Sequence, residues 1–229
     1  VLWHEGFYKS IHPANGDFSF LESIETADVP RELIGYIPWC FNIPEPGRES
    51  VFEFLDDKAV FKTEFGISTA EQTHPRFLFS AEHECLWNGY IWPFATSQVL
   101  TGLINAADRT DNKKYADIFF GCLKQYAAQH TRMGESGKIL MWIDEVKSPY
   151  KDMWYSREML KDWGWQKERG GYERGKDYNH STFCDLVISG LGGVRVKNGN
   201  VEFHPMIPDD WDYFLLDRLY ICGNCYRIV

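Results

Sequence analysis

From Pro93 onward the chain sets Phe94, Val99, Leu103 and Ala106, with Gln98 among them, at spacings of three and four, the repeat of a helix that buries one side. A second stripe follows at once in Tyr115, Ile118, Phe119, Cys122, Leu123 and Tyr126, with Asp111 placed to cap it. The connection is only a few residues long, so the pair predicts an αα-hairpin over 93–107 and 111–128. Further helices are predicted near 155–163, and near 180–191 with Asn179 or Ser181 as cap and Gly192-Gly193 as stop. Upstream, Pro30 suits the first position of a short helix through Leu33 and Ile34 that Pro38 interrupts, and Ser50 suits the cap of another within 47–57. From Val194 the period changes to alternation around Asn198-Gly199, a strong short-range hairpin signal. The segments 213–221 and 225–229 extend this β character, with a turn expected on Gly223 and Asn224.

The pattern therefore gives a mainly α unit over 1–192 followed by a small antiparallel β appendage over 193–229. At 229 residues, 44% of them hydrophobic, there is enough apolar surface for a real core. No window reaches the roughly 18 to 20 apolar residues of a membrane span, and the first residues lack the order of a signal peptide. The formal net charge is −9 and the basic residues are scattered, which argues against a nucleic-acid partner. Aromatic residues reach 16%, a supply of flat amphipathic groups that suits a ligand with apolar faces and polar edges, such as a sugar, as well as an ordinary core. The six cysteines decide little, because Cys222 and Cys225 have no second pair at metal-ligand spacing.

Candidate chemistry collects in a few segments. In 84–98, Trp87, Asn88, Gly89 and Trp92 stand just before the helix at Pro93, where free backbone N–H groups and ring faces can line a pocket or simply plug the helix entrance. The apolar run 139–143 delivers Asp144 and Glu145 into a loop, either as solvated carboxylates or as catalytic ones. Segment 172–183 brings Tyr178 and His180, candidates for hydrogen bonds to sugar hydroxyls, to the start of a helix. Glu71 and Glu84 are further carboxylates with a claim to substrate. His, Cys, Asp and Glu nowhere gather at metal-ligand spacing, no cofactor is implied, and no GxSxG, P-loop or GxGxxG occurs.

WNGYIWP at 87–93 resembles the W-R-G-P-I-W-P motif of family 63 glycoside hydrolases, with Asn88 and Tyr90 departing from it. A nearer resemblance is to bacterial mannosylglycerate-hydrolase-like glycosidases, carried in one order by RELIGYIPW, TAEQTHPRF, WNG with WPFATSQ, WIDE and RGKDYNHSTFCDLVISGL. The resemblance implies the C-terminal part of an (α/α)6 barrel and an oligosaccharide or small glycoside substrate. It also implies a bacterial, periplasmic or secreted setting, on which the residues themselves are silent. Glu145, with Pro149 four residues on, is similar to the E-N-Y-N-P segment that holds the general base in that family. The activity implied is inverting, exo-acting hydrolysis of α-linked gluco- or manno-configured sugars, with Glu145 activating water opposite the leaving group.

No segment matches the acid of that family, so the acid and the rest of the barrel are expected in sequence upstream of Val1, leaving the fragment alone inactive. Glu145 is expected at the mouth of a pocket shared with Trp87 or Trp92. The rival reading is a non-catalytic carbohydrate-binding or structural remnant that keeps Trp87, Trp92 and Tyr178 and makes Glu145 incidental.

Overall fold

A computed structural model describes residues 2–4, 6–9, 29–79, 86–110, 113–134 and 136–229. The expected cap Asp111 and the candidate Glu84 lie outside them. The chain is helical with several small antiparallel sheets, an arrangement compatible with part of a glycosidase helical domain.

The predicted αα-hairpin forms as α2 (Pro93–Ala107) and α3 (Lys113–Ala128). Pro93 occupies the first turn of α2, where its missing N–H costs nothing, and the extended Trp92 leads into it. All six stripe residues of α3 are buried. On α2 the burial runs through Ala95, Val99, Leu100, Leu103 and Ala106, whereas Phe94 is exposed because it and Gln98 lie on the outer side. Ahead of the hairpin, a 3-10 turn at Leu33–Tyr36 runs straight into α1 (Ile37–Cys40). Pro38 thus sits within the first turn of α1 instead of interrupting a helix begun at Pro30. The turn at Glu49–Leu55 starts after Arg48, not at Ser50; Glu49 accepts the Gly47 N–H at 2.7 Å and supplies the local closure.

Around α1 and α2 an aromatic core of Phe7, Tyr36, Trp39, Phe52 and Phe61 excludes water, each ring contributing roughly 1.5 to 3 kcal/mol by its burial. Phe7 comes from the hairpin of β1 (Leu2–His4) and β2 (Phe7–Lys9). Beyond α3, β3 (Thr131–Met133) pairs with β4 (Ile139–Met141), which leads into the acidic loop. Next come α4 (Tyr155–Asp162) and α5 (His180–Leu186); the latter widens into a π turn through Leu191 and stops where Gly193 turns left-handed, φ 64°. Asn179 precedes α5 but does not cap it through its side chain, which donates to Ser97 Oγ on α2 at 3.1 Å. Ser181 offers no cap either, being already inside the first turn.

The tail is two hairpins, β5 (Val194–Lys197) with β6 (Asn200–Phe203) and β7 (Leu216–Ile221) with β8 (Asn224–Ile228). Asn198 and Gly199 take the left-handed turn expected of them. The second turn falls one residue earlier than the sequence suggests, on Cys222 and Gly223 at φ 48° and 79°, because Ile221 pairs with Asn224.

Candidate active site

Segments far apart in sequence meet at the entrance of α2. Ile91 and Lys147 exchange backbone hydrogen bonds of 3.0 and 2.9 Å, which lays the Trp87–Pro93 segment antiparallel to the acidic loop. The third segment enters through the Asp177 N–H, which donates to the Ile143 carbonyl at 3.0 Å, and through Tyr178, whose ring meets Trp92 edge-on at 6.1 Å.

Trp92 is buried and donates its indole N–H to the Leu86 carbonyl at 2.7 Å. Trp87 stacks on it at 4.3 Å and is 44% exposed, so one Trp anchors the loop and the other offers a ring to solvent. Gly89 is required between them: its φ is 122°, and a Cβ there would come within 2.4 Å of the Phe77 ring. Its N–H donates to Thr69 Oγ1 at 3.0 Å. Asn88 turns its amide N–H toward the carbonyls of Arg76 and Phe79, and its buried Oδ1 has no hydrogen-bond partner among the described residues.

Glu145 is half-buried, and Gly175 passes so close that a Cβ there would stand 3.1 Å from the Glu145 Cβ. Asp144, beside it, is wholly buried. Arg157 Nε and Nη2 lie 2.8 and 2.7 Å from Asp144 Oδ2, Trp142 Nε1 donates to the same oxygen at 3.2 Å, and the Glu145 N–H donates to Oδ1 at 2.9 Å. Its oxygens are thus occupied inside the protein, in a buried ion pair of the kind that is costly to break one partner at a time. Glu71 is similarly engaged, accepting the Arg31 backbone N–H at 2.8 Å and pairing with its guanidinium at 2.7 Å. His180 is exposed and donates Nδ1–H to the Asp177 carbonyl at 2.9 Å. Below it burial holds the His130 imidazole below its ordinary value, favouring the neutral ring.

Trp87 also borders a cavity of about 550 Å³ walled by Leu33, Ile37, Phe41, Phe94 and Gln98. Glu145 is not among the residues that wall this particular cavity. Arg157 escaped the sequence reading altogether; nothing in the pattern of its short helix marks it, and its polar neighbour Ser156 is buried as well. Among the described residues no helix is long and apolar enough to cross a membrane.

The family model for the mannosylglycerate hydrolase MGH1-like glycoside hydrolase domain matches residues 2–181, and the chain belongs to that family. A solved structure titled "Sialidase" is similar at 32% identity with a TM-score of 0.67, covering 85% of this chain. The chain spans only 17% of that structure's length. No curated protein matches the chain.

Proposed function

We propose that this chain carries the base side of an inverting, exo-acting glycoside hydrolase for α-linked gluco- or manno-configured sugars, with Glu145 as general base, and that its helices are part of an (α/α)6 barrel. The observation that carries the proposal is the Ile91–Lys147 pairing, which joins the Trp-rich segment to the acidic loop at one helix entrance. Family membership supports the reaction class.

In this reading the ionised Glu145 takes a proton from water as it attacks the anomeric carbon, while a protonated carboxyl about 6.5 to 9.5 Å away serves the leaving group. No residue of this chain is assigned as that acid. The exposed face of Trp87 packs against a sugar ring, and Tyr178 and His180 serve its hydroxyls, with Asn88, Trp92 and Gly89 fixing the loop that presents them. Asp144 and Glu71 hold loops in place and do not touch sugar. The reaction needs no metal or cofactor from these residues.

The test is Glu145→Gln in the full-length protein, assayed on 4-nitrophenyl α-glucoside and α-mannoside. Turnover should fall by about 10²- to 10⁴-fold with sugar binding retained. Activity within a few-fold of wild type removes Glu145 from the mechanism. A wild type that binds sugars but never turns them over establishes the non-catalytic alternative.

A further inference from the structure

The Arg157 guanidinium is the junction of three chain segments. It reaches Asp144 on the acidic loop, and through Nη1 and Nη2 the carbonyls of Tyr172 and Arg174, the latter at 3.1 Å. It lies among the rings of Trp142, Trp165 and Tyr172, at 5.1, 5.5 and 5.1 Å from their centroids, and its residue is 3% exposed. The same 172–175 segment ends at Gly175, φ 71°, where a Cβ would stand 2.6 Å from Asp144 Oδ1. One oxygen of Asp144 therefore faces Arg157 and the other receives the N–H of Glu145.

We propose that Arg157 is a positioning residue for Glu145: it fixes the Asp144 carboxylate, and Asp144 fixes the backbone from which Glu145 projects. The inference rests on the reading of Glu145 as the base. Two properties of the guanidinium make it suited to this task. Its planar fork reaches a carboxylate and two carbonyls in set directions, which an ammonium cannot do. It also neutralises the carboxylate next to Glu145 in sequence, where an unpaired negative charge would oppose ionisation of the base. A base held loosely by even an ångström loses much of its rate, so the Arg157–Asp144 pair should act on turnover more than on binding.

The experiment is a double-mutant cycle in the full-length enzyme on 4-nitrophenyl α-glucoside and α-mannoside, joined to deuterium exchange of the peptide containing Glu145. Arg157→Lys and Asp144→Asn should each lower kcat by about 10- to 100-fold while KM stays within about threefold. In the Glu145→Gln background neither should lower kcat further, because groups that act as one unit are not additive. Exchange at the Glu145 amide should rise about tenfold in Asp144→Asn, which loses the charged acceptor. Equal losses in both backgrounds, or an unchanged exchange rate, overturn the proposal. If Arg157→Lys does not fold, Asp144→Asn carries the cycle alone. Should Glu145→Gln retain wild-type activity, or wild type cleave neither glycoside, the base assignment fails, and the exchange measurement still decides whether Asp144 holds the loop.

Discussion

Ile91 and Lys147 face each other across a two-way backbone exchange, 3.0 Å in one direction and 2.9 Å in the other. Lys147 is itself buried, with its ammonium on Asp152 at 2.6 Å and over the Trp154 ring at 5.1 Å. The link that aligns the Trp loop with the acidic loop is therefore fastened from behind by a buried charged side chain.

Gly89→Ala should destabilise the Trp loop. The substitution asks an L residue to hold φ 122° and drives a methyl into the Phe77 ring. Stability should fall by about 2 kcal/mol or more, read as a lower denaturation midpoint. An unchanged midpoint would mean that the loop has another conformation to adopt.

Trp87→Ala should separate binding from stability. Because the ring is 44% exposed and stacks on a Trp92 that keeps its own hydrogen bond, its loss should cost only about 1 kcal/mol of stability. Sugar affinity should fall by about tenfold or more, measured by calorimetric titration of the full-length protein. Undiminished affinity would place the sugar elsewhere.

The joint between the helices and the tail should be acid-sensitive. Burial opposes the charge on Asp108, but hydrogen bonds and attraction from Arg195 and then His204 outweigh it and hold the carboxyl below its ordinary value. A depressed folded value stabilises the protein above the unfolded one and loses that contribution as pH falls through the folded value. Asp108→Asn should therefore be less stable than wild type near pH 7, and the gap should close from about pH 4 downward. A gap constant with pH would show that the Arg195 pair, 2.7 Å apart, contributes nothing by charge.

Thiol chemistry should sort the cysteines by burial. The Cys122 thiol is pushed up to about 12 by burial, whereas Cys184, Cys222 and Cys225 are exposed. At pH 8 a maleimide should label these three in the native protein and reach Cys122 only after unfolding, as peptide mass spectrometry would show. Native labelling of Cys122 would mean that α3 opens readily from the core.

Much of this architecture could be read along the chain, because the responsible interactions are local. The α3 stripe, the Pro93 start, the Asn198-Gly199 turn and the stop after Leu191 each depend on residues within a turn or two of one another. The errors were local conflicts settled by packing. Pro38 reads as a breaker, yet α1 absorbs it in its first turn, and Asn179 reads as a cap, yet its amide is drawn away to Ser97 on another helix. Motif order also singled out Glu145, Trp87 and Trp92 as one group, although nothing in periodicity could say how they face.

What only the tertiary structure decided is how deeply these residues and their neighbours are buried. Asp144 and Glu145 are neighbours of identical charge, told apart in the sequence only by the likeness of Glu145 and Pro149 to a family segment and by nothing in periodicity or spacing. The fold buries one against Arg157, thirteen residues away, and leaves the other half-buried beside Gly175. Trp87 and Trp92 divide in the same way, one exposed and one closed. Burial is set by which segments meet, and segments that meet across long loops are chosen by the summed packing of the whole core, which no short stretch of sequence contains.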